Sequence, residues 1–139
     1  MKIVIDSNRV LAAMIKESTT REILFDKTFD FIAPDYLISE VRNHKDKVIK
    51  ATGITDNQFE ILLSLIFEYI IIVPEKDYTE FIENLKNEIK DPKDLSYFAV
   101  CLAAKADGIW THDPHFKEQN NVKVFTNIDM LKISGKVRQ

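Results

Sequence analysis

Two aspartates follow short apolar runs that have the length and branching of β-strands. Asp6 ends the run at residues 2–5, and Asp113 comes shortly after the run at residues 109–111. In an open parallel sheet, ligands bind beyond the carboxyl ends of the strands, so we expect both carboxylates at that edge. Each aspartate has a simpler interpretation as a helix N-cap, which contributes about 1 kcal/mol to stability. Taken singly, neither residue decides between a ligand site and a cap.

Two further carboxylates are predicted on helices, beside residues that should face the core. Asp94 shares a helix face with Phe98 and Leu102, at spacings of four and eight residues. A carboxylate on such a stripe is costly to bury unless a cation or hydrogen-bond donors compensate for it. The alternative is that Asp94 lies in the first turn of a helix capped by Asp91, where the helix dipole stabilises it. Glu40 borders an apolar stripe in the same way, or is exposed and paired with a neighbouring basic residue.

A cluster of four carboxylates has a physical explanation in a hard divalent cation. Like charges at close quarters raise one another's pKa, and Mg²⁺ or Mn²⁺ relieves this repulsion while taking oxygen ligands. Such an ion can activate a water molecule for attack on a phosphodiester. Small polar side chains lie next to the aspartates in the sequence and are predicted to support them: Ser7, Asn8 and Thr111. The sequence contains no phosphate-binding loop of the Walker type.

Strands and helices alternate along almost the whole chain. The pattern predicts strands at residues 2–5, 29–33, 70–73, 109–111 and 122–125. Between them it predicts helices over 10–15, from 19, over 35–52, from 55, over 77–89, from 91 and over 128–133. The run at 70–73 is apolar throughout, which is typical of a strand buried on both faces. The alternation predicts an α/β fold with a mostly parallel sheet and helices on both faces, as one domain over residues 1–139.

Composition excludes several classes of protein. The chain has 22 acidic and 19 basic residues and a net charge of −3, so no overall basic field attracts nucleic acid. A bound polyanion would need a local basic patch or a metal ion. A single cysteine, Cys101, excludes an internal disulfide and a cysteine-based zinc site. No signal peptide or membrane-spanning stretch is seen, so we expect a cytoplasmic protein without membrane contact.

Four segments carry the acids in a recognisable order. They are residues 3–8 (IVIDSN), 38–41 (ISEV), 91–107, which begin DPKD, and 109–113 (IWTHD). This arrangement resembles the PIN-domain family of metal-dependent ribonucleases over nearly the whole chain. The resemblance implies a three-layer α/β/α sandwich and cleavage of RNA by a water molecule activated by Mg²⁺ or Mn²⁺. It assigns the metal to Asp6, Glu40, Asp94 and Asp113, with Asp91, Ser7, Asn8 and Thr111 as accessory residues.

The resemblance also implies partners. Small members of the family resemble the toxin halves of toxin–antitoxin pairs, so we expect a homodimer silenced by an antitoxin whose tail fills the site. Three basic residues are candidates for RNA contact: Arg9, Arg42 and Lys45. Arg9 stands where the family often has an apolar residue, and it could pair with an acid or meet a substrate phosphate. Arg42 and Lys45 follow Glu40 and have an alternative as part of a solvated helix face.

Two other functions fit parts of the pattern. The chain could be a PIN-like binding module that has lost activity and acts through a protein partner. It could also be a phosphate-handling α/β domain of the aspartyl-phosphate type. That chemistry requires a second aspartate two residues after the first, and position 8 is Asn8.

Overall fold

The computed structural model describes residues 1–15 and 18–136, which fold into a five-stranded sheet covered by helices. The strands are β1 (Lys2–Ile5), β2 (Asp30–Pro34), β3 (Ile70–Val73), β4 (Gly108–Trp110) and β5 (Val124–Phe125). The helices are α1 (Ser7–Ile15), α2 (Ser18–Leu24), α3 (Tyr36–Asn43), α4 (Lys45–Thr52), α5 (Asp56–Phe67), α6 (Thr79–Leu85), α7 (Pro92–Ala103) and α8 (Asn127–Ile133). Two short 3₁₀ turns lie at Glu75–Asp77 and Pro114–Glu118. The predicted α/β fold with a parallel sheet is confirmed.

The order of the strands creates a crevice at the centre of the sheet. All five strands are parallel, in the order β3-β2-β1-β4-β5. The chain runs outward from β1 through β2 to β3, and then continues on the other side of β1 with β4 and β5. In such sheets, ligands bind beyond the carboxyl ends of the strands at the point where the direction of winding reverses. Here that point lies between β1 and β4, whose ends are joined by a 3.1 Å bond from the Asp6 N–H to the Trp110 carbonyl oxygen.

The two strands that flank this crevice are buried except for Lys2 at the start of β1. Ile3, Val4 and Ile5 of β1 have no exposed surface, and neither do Ile109 and Trp110 of β4. Successive residues of a strand point to opposite faces of a sheet, so both faces are covered by helices at this position. Such double burial is what a sequence without polar alternation in β1 predicts. The crevice therefore lies at the end of two strands that form the centre of the core.

A helix predicted over residues 35–52 is two helices. His44, between α3 and α4, has φ −104° and ψ 13°. Its backbone N–H reaches the Val41 carbonyl oxygen, one residue short of the α-helical partner, while its ring Nδ1 lies 2.9 Å from the Glu40 carbonyl oxygen. The imidazole thus replaces the backbone bond that a continuous helix would make. Similarly, the helix predicted at 77–89 begins two residues later and ends at Leu85.

The prediction that residues 70–73 form a strand buried on both faces is wrong. β3 is an edge strand whose neighbour in the sheet is β2. Only Ile70 is fully buried, and Ile71 is 66% exposed. The apolar run reflects packing of α5 on one side of an edge strand. An apolar run alone does not distinguish an edge strand from a central one.

No helix within residues 1–15 and 18–136 is long and apolar enough to cross a membrane.

Candidate metal centre

Asp6 is the most enclosed carboxylate of the site. It follows β1 directly, and 6% of its surface is exposed. Its Oδ2 accepts a 2.7 Å hydrogen bond from the Thr111 hydroxyl, and its Oδ1 accepts one of 2.7 Å from the Ser7 N–H. Burial raises its pKa to about 6, aided by the charges of Glu40 and Asp113, while the two hydrogen bonds lower it. The carboxylate is therefore held in position by two hydrogen-bond donors.

Asp94 faces the same crevice from the first turn of α7. The helix begins as the sequence predicts, with Pro92 at its first position and the Asp91 carboxylate accepting a 2.9 Å bond from the Lys93 N–H. Asp91 is thus the N-cap, and Asp94 is left half-buried one turn on. The pKa of Asp94 is raised to about 7, mainly by burial and then by the negative charges of three other aspartates, Asp91, Asp113 and Asp6. The charge of His115 lowers it. These carboxylates therefore disfavour one another's ionised form.

Glu40 is linked to the crevice through a tyrosine. Its side chain is half-buried on α3, and its Oε1 accepts a hydrogen bond from the Tyr97 hydroxyl on α7. Burial raises the pKa of Glu40, whereas the Tyr97 hydrogen bond and the charge of Lys93 lower it. Tyr97 is not among the residues predicted for the site. Its spacing of three residues from Asp94, which puts both on one face of α7, was the signal that could have found it.

Asp113 completes the group of acids. It caps the 3₁₀ turn after β4, and its Oδ1 accepts 3.0 Å bonds from the backbone N–H of His115 and from that residue's Nδ1. Its charge acts on both Asp6 and Asp94. Among the residues that the structure describes, no group of three or more His, Cys, Asp and Glu side chains is already arranged to hold a metal ion. The charges of Asp113 and Asp6 act on Asp94, and those of Glu40 and Asp113 act on Asp6. The assignment of all four as metal ligands stays a prediction.

A chain of hydrogen bonds fixes Asp6 from behind. The Thr111 hydroxyl that donates to Asp6 accepts a 3.1 Å bond from Asn8 Nδ2, and Asn8 Oδ1 accepts a 3.0 Å bond from Arg9 Nε. Arg9 Nη1 also lies 3.4 Å from Asn127 Oδ1, which accepts a 2.9 Å bond from Trp110 Nε1. Asn8 and Thr111 are therefore supporting residues by geometry, and Asn127 is one that sequence reasoning missed.

The buried position of Arg9 corrects the expectation that it meets RNA. The side chain is 7% exposed, and its guanidinium donates into the interior. A group enclosed in this way does not reach a phosphate at the surface. Its charge instead orders the polar network behind Asp6.

Arg42 and Lys45 are engaged in ion pairs with α5. Arg42 Nη1 lies 2.7 Å from Glu60 Oε1, and Lys45 Nζ lies 3.4 Å from the same oxygen and 3.5 Å from Asp56. Residues two apart on a helix do not share a face, so Arg42 is directed away from Glu40. These pairs tie α3 and α4 to α5. The basic residues whose charges lower the pKa of Glu40 are Lys93, which was not predicted, and His44.

Two cavities open on either side of the start of α7. One, of about 390 Å³, is lined by Asp91 and Asp94 together with His115, Glu118 and Gln119. The other, of about 520 Å³, lies on the side of α3 and includes Lys93 in its wall. The acids thus stand between two spaces large enough for parts of a ligand.

A parallel α/β sheet with acidic side chains at its central crevice defines an α/β domain with a candidate ligand site at the carboxyl ends of its strands. The PIN domain family matches residues 4–126, which is most of the chain, and the protein belongs to that family. PIN domains are generally nucleases and typically use divalent metal ions, so the family indicates nuclease activity for this protein. No curated protein matches the sequence closely enough to add a relative.

Proposed function

We propose that this protein is an endoribonuclease that hydrolyses RNA with Mg²⁺ or Mn²⁺ held by Asp6, Glu40, Asp94 and Asp113. The observation that carries the proposal is the position of two enclosed acids at one crevice: Asp6 is 6% exposed at the end of β1, and Asp94 is half-buried in the first turn of α7. Burial and the charges of neighbouring carboxylates raise the pKa of Asp6 to about 6 and the pKa of Asp94 to about 7. Structural carboxylates are normally paired with cations, which lower the pKa. Carboxylates that repel one another in this way would be stabilised by a bound cation.

The donor chemistry fits a hard cation. All four candidate ligands are carboxylates, and oxygen donors favour Mg²⁺ and Mn²⁺ over zinc or copper. When bound, the ion supplies the charge that neutralises the cluster and lowers the pKa of water to produce a nucleophile.

The remaining residues of the site have positioning roles. Thr111 holds Asp6 by its hydroxyl, and Tyr97 holds Glu40 in the same way. Such outer partners orient ligands, and their loss typically costs about 10–100-fold in metal affinity or activity. The Ser7 N–H donates to the second oxygen of Asp6 and so fixes the plane of that carboxylate.

The test is cleavage of a fluorescein-labelled single-stranded RNA of mixed sequence, with DNA of the same sequence beside it. We expect wild-type protein to cut the RNA with Mn²⁺ or Mg²⁺ and not in EDTA. Asp94→Asn should lose activity at least about a hundredfold, since removing a ligand costs no less than removing its support. Asp46→Asn is the matched control, because Asp46 also lies in the first turn of a helix, in α4, but is exposed.

Full activity of Asp94→Asn in a clean preparation would show that the proposed site is wrong. An inert wild-type protein that is folded and is not stabilised by Mn²⁺ would favour the second candidate, a binding module acting through a protein partner. The homodimer and the antitoxin expected from the resemblance stay predictions.

A further inference from the structure

A buried arginine lies three residues after Asp6, behind the candidate metal centre. The Arg9 side chain on α1 is 7% exposed, and its Nη1 lies 3.4 Å from Thr20 Oγ1 and 3.4 Å from Asn127 Oδ1. These contacts with α2 and α8 hold the guanidinium in one place. Arg9 stands where the family often has an apolar residue, so its role has to come from the contacts that it makes in this chain.

The chemistry of Arg9 fixes the orientation of its neighbour Asn8. Arg9 Nε donates a 3.0 Å hydrogen bond to Asn8 Oδ1. Because arginine has donors and no acceptor, the amide of Asn8 has to turn its oxygen towards the guanidinium. The Nδ2 group of Asn8 then faces the opposite way and donates a 3.1 Å bond to Thr111 Oγ1. The reverse orientation of the amide would set two donors against each other at Arg9.

The Thr111 hydroxyl is left with one direction for its own proton. A hydroxyl donates one hydrogen bond and has two lone pairs that accept. Both lone pairs are used, by Asn8 Nδ2 at 3.1 Å and by the Asp113 N–H at 3.0 Å. The proton is therefore directed to Asp6 Oδ2, 2.7 Å away. Since Thr111 is 1% exposed, bulk solvent does not compete for this proton.

We propose that Arg9 is a positioning residue for the metal centre, because it sets the direction of the hydrogen-bond relay from Arg9 through Asn8 and Thr111 to Asp6. The inference rests on the proposed function, since Asp6 is one of the candidate metal ligands. Without the guanidinium, Asn8 can present its oxygen to Thr111, whose proton then turns from Asp6 to Asn8. Asp6 loses a donor in that arrangement, and its orientation towards a cation is no longer fixed.

The experiment measures affinity for Mn²⁺ by calorimetry, with urea unfolding of the metal-free proteins beside it. Arg9→Met retains a long side chain and removes its donors. We expect it to weaken Mn²⁺ binding about tenfold, the lower end of the loss that follows removal of an outer partner of a ligand. Arg9→Lys keeps a donor for Asn8 and should stay within about threefold of the wild-type affinity.

Arg21→Met is the matched control. Arg21 is a half-buried arginine on α2 that donates to the carbonyl oxygens of Ala13 and Met14 in α1. Its replacement also removes one positive charge and interior hydrogen bonds, but these bonds do not belong to the relay. We expect both methionine variants to lose stability, and only Arg9→Met to lose affinity for Mn²⁺.

A double-mutant cycle tests whether Arg9 acts through the relay. A Thr111→Val background has no hydroxyl to direct, so adding Arg9→Met should leave the Mn²⁺ affinity unchanged while it still lowers stability. Asn8→Leu breaks the relay with Arg9 in place and should match Arg9→Met in Mn²⁺ affinity. Asn8→Leu remains decisive if Arg9→Met does not fold.

A further measurement requires no metal. The side-chain amide protons of Asn8 are followed by ¹⁵N-resolved NMR in EDTA. Their exchange with solvent should be about tenfold faster in Arg9→Met than in wild type or Arg9→Lys, since an amide that has turned away from Thr111 has lost that acceptor.

Unchanged Mn²⁺ affinity in Arg9→Met or in Asn8→Leu would overturn the inference. An equal loss of affinity in Arg21→Met would overturn it as well, because the effect would then be one of general stability. A further loss when Arg9→Met is added to Thr111→Val would show that Arg9 acts by another route. A wild-type protein that does not bind Mn²⁺ contradicts the proposed function instead, and the exchange of the Asn8 amide protons then decides the inference alone.

Discussion

Replacing Asp94 with asparagine is expected to make the metal-free protein more stable. Burial and the charges of Asp91, Asp113 and Asp6 raise the pKa of this carboxyl from 3.8 to about 7. For a fully enclosed group, that difference corresponds to about 4 kcal/mol of unfavourable interaction in the ionised form. Asp94 is only half-buried, so screening by solvent reduces the expected gain to about 1–2 kcal/mol. A neutral amide of the same shape avoids the repulsion.

The gain has a defined dependence on pH. Because the folded pKa lies above the unfolded value, the folded protein binds the proton more tightly and its stability falls as pH rises between 3.8 and about 7. The difference between wild type and Asp94→Asn is therefore largest above about pH 7. It disappears below the unfolded pKa, where both side chains are neutral.

The assay is urea unfolding in EDTA at about pH 8 and about pH 4, repeated at about pH 8 with Mn²⁺. In EDTA at the higher pH, Asp94→Asn should exceed wild type, while the Asp46→Asn control should lose up to about 1 kcal/mol of helix-dipole stabilisation. With Mn²⁺ at a hundredfold excess over its dissociation constant, wild type gains about 2.7 kcal/mol and the order reverses. A variant less stable than wild type in EDTA would refute the reasoning, since it would mean that the carboxylate mainly stabilises the first turn of α7.

Three other perturbations follow from the geometry. Thr111→Val removes the hydroxyl that donates a 2.7 Å hydrogen bond to Asp6, so the pKa of Asp6 should rise above about 6. The affinity for Mn²⁺, measured by calorimetry, should then fall more at about pH 6 than at about pH 8. Equal losses of affinity at both pH values would contradict this. Tyr97→Phe leaves Glu40 without its buried donor, so urea unfolding should show a loss of about 1–3 kcal/mol, and no loss would mean the bond is replaced by water. Gly108→Ala would place a Cβ against the Phe125 ring and 2.8 Å from the Lys123 carbonyl oxygen. Because the pairing of β4 with β5 holds that oxygen in place, the clash should cost about 1–3 kcal/mol and lower the thermal midpoint by several degrees. An unchanged thermal midpoint would show that β5 can move away from β4 without loss of stability.

The parts of the site that the sequence predicts are those governed by short-range rules. An apolar run that ends at Asp6 predicts a strand with a carboxylate at its end, and the DPKD segment predicts the cap by Asp91 with Asp94 one turn further on. Both rest on contacts within a few residues, so neither depends on knowing the strand order. The α/β fold follows for the same reason, because the alternation of strands and helices is local.

The parts that could not be predicted depend on contacts between distant segments. β3 has the apolar run of a central strand, and only the sheet order makes it an edge. Arg9 resembles a surface cation in sequence, but its partners Thr20 and Asn127 come from two other helices. Tyr97 acquires its role through Glu40, 57 positions away. The break at His44 is a different case, since a side chain replaces a backbone bond that propensity alone would have kept.

The place of Asn127 in the chain determines when Asp6 acquires its full hydrogen-bonded support. Its side chain accepts from Trp110 and Arg9, and Arg9 leads through Asn8 and Thr111 to Asp6 at the other end of the sequence. During synthesis, the first candidate ligand leaves the ribosome early but waits for residue 127 before its support is complete. A nascent chain of this protein therefore carries Asp6 for most of translation before the last member of the hydrogen-bonded chain behind it has been made.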